Sequence, residues 1–135
     1  MSTSTCIVAY YFSASWCGPC KQFTPLLKKM YAALRNAGID TRAFEVCFVS
    51  SDRNEQQVDE YFETMPWQAI DYRKEEVRRK LGLEYNIRSI PTLVVVREHD
   101  GGKDVVVSRD ARSEVIAVDA SNEDWLELYT QWLER

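Results

Sequence analysis

The sequence predicts an α/β fold, a central mixed sheet of four strands flanked by helices, on three observations. An unbroken apolar run, Cys6-Ile7-Val8-Ala9-Tyr10-Tyr11-Phe12, ends at Ser13 and Ser15 and has the composition of a strand buried on both faces. Directly after it, Phe23, Leu26, Leu27, Met30, Tyr31 and Leu34 recur at the spacing of one helical face. Beyond that helix the periodicity continues in the order strand, helix, helix, strand, strand, helix.

Each element has a local reason. The first helix stops at Gly38, and Pro25, which removes one backbone hydrogen bond, is expected to kink it without ending it. Arg42 to Ser50 alternates around Phe44, Val46 and Phe48 as a strand does, and the next helix turns Val58, Tyr61, Phe62 and Met65 inward until Pro66 ends it. A third helix is expected over about Lys74 to Tyr85. Strands Thr92 to Arg97 and Lys103 to Ser108 follow, joined by the turn His99-Asp100-Gly101-Gly102. Arg109 to Ala120 reads either as a short strand around Val115 to Val118 or as a helical turn. The last helix is expected to start at Ser121 with Asp124 as its capping-box partner. It buries Trp125, Leu128, Tyr129 and Trp132 against one face of the sheet. With no linker, internal repeat or low-complexity tract, residues 1–135 read as one domain.

Composition narrows the function. A 135-residue chain that is 45% hydrophobic is long enough for a proper core. A net charge of −4 gives no electrostatic case for nucleic acid, and the one basic cluster, Arg78-Arg79-Lys80, follows Glu75-Glu76 on a helix and reads as a solvated face. No apolar stretch approaches a membrane span and the start lacks the regions of a signal peptide, so a cytoplasmic location is expected. Cys6 and Cys47 lie inside apolar segments, as buried reduced thiols do in a reducing compartment, and His99 reads as a surface residue on its turn.

The chemistry lies in Trp16-Cys17-Gly18-Pro19-Cys20, at the junction of the first strand and helix. Two thiols at this spacing form a disulfide that can open and close. At a helix start, unpaired N–H groups and the macrodipole favour an anion, so Cys17 is expected to be the attacking thiolate and Cys20 the resolving thiol. Pro19 presets a helical φ where its missing N–H is harmless. Zinc is the competing reading of a C-x-x-C pair. It needs four ligands, and the other candidates, Cys6, Cys47 and His99, are scattered singly, so no metal and no organic cofactor is expected.

Four motifs in order, YFSASWCGPCKQFTPLL, Val46-Cys47-Phe48-Val49-Ser50-Ser51-Asp52-Arg53, Met65-Pro66-Trp67 and Tyr85-Asn86-Ile87-Arg88-Ser89-Ile90-Pro91-Thr92-Leu93, resemble the tryparedoxin and nucleoredoxin branch of the thioredoxin superfamily. The resemblance covers roughly positions 8 to 97 and implies a thioredoxin fold. In that fold Ile90 and a cis Pro91 would offer backbone hydrogen bonds to an extended substrate. The residues alone read Pro91 equally as a strand-entry proline. Trp16 and Trp67 resemble aromatic residues bordering the substrate groove, with Gly18 and Pro19 between the thiols, although Trp67 alone reads as well as a half-buried core residue. Two positions depart from the pattern. The branch usually carries W-C-P-P-C, so Gly18 is a step toward ordinary thioredoxins and bears on redox potential and preferred reductant. Where thioredoxins commonly bury an acid, six residues before the first cysteine, this chain has Tyr11. Lys21 either supports the thiolate or is a solvated helix lysine.

The resemblance implies a thiol-disulfide oxidoreductase that reduces disulfides of target proteins, such as peroxidases of the peroxiredoxin type. The electron donor, a low-molecular-weight dithiol or a reductase, is left open. The alternative is a redox-switched interaction module without turnover. Relatives carry an extra strand and helical segments before the strand that leads into the motif, and this chain begins at that strand. The Arg42 to Ser50 edge is therefore expected to lie exposed, with the chain a monomer or weak dimer.

Overall fold

The computed structural model describes residues 5–99 and 102–135. Its element order is β1 (Thr5–Ser13), α1 (Gly18–Asn36), β2 (Phe44–Ser50), α2 (Glu55–Phe62), β3 (Gln68–Ala69), α3 (Glu75–Glu84), β4 (Thr92–His99), β5 (Val105–Ser108), α4 (Ala111–Ser121) and α5 (Trp125–Glu134). The strands form one mixed sheet in the order β3-β2-β1-β4-β5. β1 pairs parallel to β2, with Tyr11 opposite Phe48, and antiparallel to β4, with Tyr11 opposite Leu93. This central position explains the unbroken apolar run of β1, because successive side chains enter different cores. Ile7, Ala9 and Tyr11 join the cluster under α1, α4 and α5, while Phe12 joins Val49, Val94, Val96 and Tyr85 on the face covered by α3.

Helix ends follow from local residues. Gly38, with φ of 87°, closes α1 as Ile39 N–H donates to the Leu34 carbonyl, a Schellman ending. Asn86, with φ of 54°, ends α3 in the same way through Ile87 N–H and the Gly82 carbonyl. α1 continues through Pro25 without a break, as expected.

Three expectations need correction. The segment Arg109 to Ala120 is neither a strand nor a single turn but helix α4, capped by Asp110, whose carboxylate accepts Ser113 N–H, with Ala111, Val115 and Val118 buried. Ser121 does not start the last helix. It ends α4 with its hydroxyl on the Ala117 carbonyl, Asn122 turns left-handed with φ of 54°, and Asp124 is the N-cap of α5 through Leu126 N–H. The outer edge of β2 is partly covered, because Gln68 and Ala69 pair with Cys47 and Phe48 as a fifth, two-residue strand. Met65 is buried as expected but follows α2. Asp100 and Gly101 of the β4–β5 turn lie outside the described residues. His99 is the half-buried last residue of β4 rather than part of a free turn, with Thr5 Oγ1 3.1 Å from Nδ1 and Arg97 Nε 3.2 Å from Nε2.

Candidate active site

β1 delivers the chain to the sheet's end, and Ala14, Ser15 and Trp16 carry it into α1. Cys17 has extended backbone (φ −91°, ψ 114°) and is the N-cap of α1, one position before the first turn in which the sequence placed it. Its sulfur accepts Cys20 N–H at 3.3 Å, so one of the orphan donors of the helix start points at this sulfur. Pro19 occupies the first turn, where its missing N–H costs no hydrogen bond. Cys17 and Cys20 are disulfide-paired with Cα atoms 5.2 Å apart. Cys20 is fully buried while Cys17 retains 6% exposure, so Cys17 is the less enclosed of the two.

Across from the pair, the Ile90–Pro91 bond is cis and the Ile90 carbonyl oxygen stands 3.9 Å from Cys17 Sγ. Ile90 also packs against Ala14, Cys17 and Cys20. The two segments expected to meet at the site therefore do. Trp16 is 53% exposed beside them, with the Arg53 guanidinium 5.8 Å from its ring centroid. Gly18 and Pro19 are both exposed at the tip of the turn. Trp67 is not on the rim. It is 4% exposed in the main core, its ring edge-on to Tyr11 at 6.2 Å and to Tyr31 at 5.6 Å. Lys21 is exposed on α1.

Tyr11, in the place where thioredoxins commonly bury an acid, anchors a chain of hydroxyls. Its OH lies 2.7 Å from Thr24 Oγ1 and donates to the Cys20 carbonyl at 3.2 Å, and Thr24 Oγ1 donates to the same carbonyl at 2.8 Å. Thr24 Oγ1 in turn lies 2.9 Å from Tyr61 OH, which lies 2.9 Å from Ser13 Oγ. Burial pushes the Tyr11 phenol well above its ordinary value, so this group is neutral throughout the physiological range. The network thus holds the resolving cysteine through its backbone with uncharged donors.

A carboxylate does serve the site, from the loop just after β2 rather than from β1. Asp52 is 5% exposed; its Oδ1 accepts Ser15 N–H at 2.8 Å and Ser15 Oγ–H at 2.6 Å, and its Oδ2 accepts Ser50 Oγ–H at 2.9 Å. It fastens the loop that presents Trp16 and Cys17. Asp52, Thr24 and Tyr61 were not singled out as site residues from sequence. The available signals were an acid directly after an apolar strand and a threonine one turn beyond Cys20.

The remaining thiols are chemically quiet. Burial, with Glu45 nearby, pushes Cys47 up to about 11, and burial with Glu98 and Glu45 raises Cys6, so both are protonated near neutrality. Among the described residues, no cluster of three or more His, Cys, Asp or Glu is placed to hold a metal ion. No helix there is long and apolar enough to cross a membrane.

A family described as Thioredoxin-like matches residues 6–102. Tryparedoxin of Trypanosoma brucei brucei is 36% identical over 119 residues, 87% of this chain and 78% of the relative. The chain belongs to the thioredoxin-like family, in its tryparedoxin and nucleoredoxin branch. Mouse nucleoredoxin is 40% identical over 109 residues, which are 81% of this chain but only 23% of that protein, so the chain spans about a quarter of the nucleoredoxins it matches. Among solved structures, tryparedoxin II from C. fasciculata superposes with a TM-score of 0.74 at 34% identity, covering 86% of this chain and 72% of that one. Tryparedoxin II complexed with glutathionylspermidine gives the same score and identity over 86% and 76% of the two chains. The family's oxidoreductase chemistry rests on a cysteine pair, which here is Cys17 and Cys20.

Proposed function

We propose that this chain is a protein-disulfide reductase that cycles between dithiol and disulfide at Cys17 and Cys20. The Cys17 thiolate attacks one sulfur of a substrate disulfide, that S–S bond breaks, and the first substrate thiolate leaves. Cys20, deprotonated, then attacks Cys17 Sγ, releases the second substrate thiolate and closes the Cys17–Cys20 bond. Two electrons have moved to the substrate, whose thiolates take up two protons. A donor dithiol reverses the exchange and restores the pair.

The observation that carries this reading is the asymmetry of the pair: Cys17 is the less enclosed cysteine, with Cys20 N–H on its sulfur, and Cys20 has no exposure at all. The Ile90–Pro91 loop supplies the second support, because an extended substrate laid beside Cys17 meets backbone groups there. Peroxidases of the peroxiredoxin type are the target class we assign. A low-molecular-weight dithiol is the donor we assign; that a relative is solved with glutathionylspermidine, a small thiol, supports a low-molecular-weight thiol partner. A cytoplasmic setting fits two unbridged cysteines, Cys6 and Cys47, and we read the chain as a monomer or weak dimer.

Insulin reduction with excess dithiothreitol tests the proposal. Intact protein accelerates precipitation over many turnovers and Cys17→Ser does not. Equal rates for intact protein, variant and buffer would instead favour a redox-switched interaction module.

A further inference from the structure

Beside the disulfide, on the flank of α1, lies an open cleft of about 300 Å³ lined by Lys21, Thr24, Pro25 and Lys28 of α1, by Tyr61 of α2 and by Thr64 just after it. Lys21 and Lys28 are two helical turns apart on one stripe, which sets their positions about 10 Å apart along the axis, with Thr24 between them. The cleft walls are mostly apolar, and two hydroxyls among the lining residues are shared with the site. Thr24 Oγ1 and Tyr61 OH, 2.9 Å apart, belong to the hydroxyl chain that ends on the Cys20 carbonyl.

The charges here are one-sided. No carboxylate lines the cleft, and among the described residues neither Lys21 nor Lys28 pairs with one. The neighbouring Lys29, by contrast, pairs with Asp119 at 3.7 Å. On α2, Glu60 accepts Gln56 along its own helix. Arg53, over the Trp16 ring, also lacks a carboxylate partner among the described residues. A chain of net charge −4 thus carries unpaired cations next to its cysteine pair and its neighbour Trp16.

Resting on the reductase reading above, we infer that this cleft docks acidic side chains of the polypeptide that carries the target disulfide, so that the protein selects disulfides flanked by Asp or Glu. Lys21 and Lys28 supply the charge, each ammonium donating hydrogen bonds to a docked carboxylate. Exposed ion pairs each contribute up to about 1 kcal/mol and are weakened by salt, so selection is modest and ionic-strength dependent.

The test compares three disulfide-linked peptides identical except for residues flanking the cysteine: Asp and Glu, Asn and Gln, or Lys. With dithiothreitol as donor at low ionic strength, kcat/KM for the acidic peptide is about fivefold that of the neutral one, equivalent to about 1 kcal/mol, with the Lys peptide slowest. The ratio falls toward one as salt is raised. It also falls to about one in the double variant Lys21→Gln, Lys28→Gln, and persists in Lys80→Gln, which alters an exposed lysine of α3. Equal rates on all three peptides, or a preference that survives the double variant, would overturn the cleft and leave the reductase reading standing. Turnover of none of the peptides would overturn both.

Discussion

Replacing Asp52 with alanine removes three hydrogen bonds to one buried carboxylate, those from Ser15 N–H, Ser15 Oγ–H and Ser50 Oγ–H. Hydrogen bonds to a charged group each contribute about 1.5–3 kcal/mol, and truncating the acceptor leaves the buried donors to find new partners. The serine hydroxyls can rotate, whereas the Ser15 amide is fixed by the backbone, so the loss is about 3 kcal/mol rather than the full sum. With an unfolding entropy of about 2.1 cal/mol/K per residue, a chain of 135 residues loses about 11 °C of melting temperature for that amount. Asp52→Asn keeps the shape and the Oδ1 acceptor, but sets an amide N–H against the Ser50 hydroxyl. That hydroxyl already accepts the residue 52 amide at 2.9 Å. The loss there is about 1 kcal/mol, or about 4 °C. Thermal unfolding followed by circular dichroism at pH 7 reads both, and insulin turnover at 25 °C, where each variant is folded, reads the loop. Turnover falls in the order parent, Asn, Ala. An alanine variant melting within 3 °C of the parent would refute the assignment of Asp52 as the anchor of the Ser15–Cys17 loop.

Other consequences follow from particular contacts. Burial acts to raise Glu114, but hydrogen bonds from Arg135, Ser108 and Trp132 prevail and hold its carboxyl below the usual range. Its contribution is therefore present above the unfolded carboxyl value and is lost as pH falls through the folded one. The stability gap between parent and Glu114→Gln is constant from pH 6 to 8 and closes under increasing acid, as urea titrations at several pH values will show. Asp124→Ala removes the α5 cap and lowers stability by about 1 kcal/mol, whereas Ser121→Ala, which loses only a hydroxyl bond back along α4, changes it by less than about 0.5 kcal/mol in the same titration. Trp67→Ala lowers stability by about 3–5 kcal/mol as a core truncation. Trp16→Ala leaves the melting temperature within about 2 °C and raises KM for protein disulfides.

The chemistry-bearing half of the molecule was legible because short-range rules govern it. An apolar run, a C-x-x-C pair and a helical stripe stand in the sequence next to one another. The Ile90–Pro91 loop was legible only through resemblance, because nothing local in Ser89-Ile90-Pro91-Thr92 says which sulfur it will face. Trp67 was left between rim and core for the same reason: its place against Tyr11 and Tyr31 depends on elements far apart in the chain. Helix α4 was obscured because Val115-Ile116-Ala117-Val118 has strand-like β-branching, yet Ala111, Val115 and Val118 fall on one helical face once Asp110 caps it. Ser121 and Asp124 stand at capping-box spacing, but the left-handed Asn122 breaks the chain between them and moves the helix start to Asp124. Gln68–Ala69 pairs over two residues, too few for any alternation to register. Asp52, Thr24 and Tyr61 matter through partners 37 positions away or through a carbonyl, which no spacing rule anticipates.

The central claim is that one sulfur, Cys17, attacks and one, Cys20, resolves. The direct measurement is to incubate reduced Cys20→Ser with a disulfide-linked peptide and map the adduct by mass spectrometry. A stable mixed disulfide is expected on Cys17, in one-to-one stoichiometry, with Cys6 and Cys47 unmodified. An adduct on Cys6 or Cys47, or none while Cys17→Ser forms one on Cys20, would contradict it.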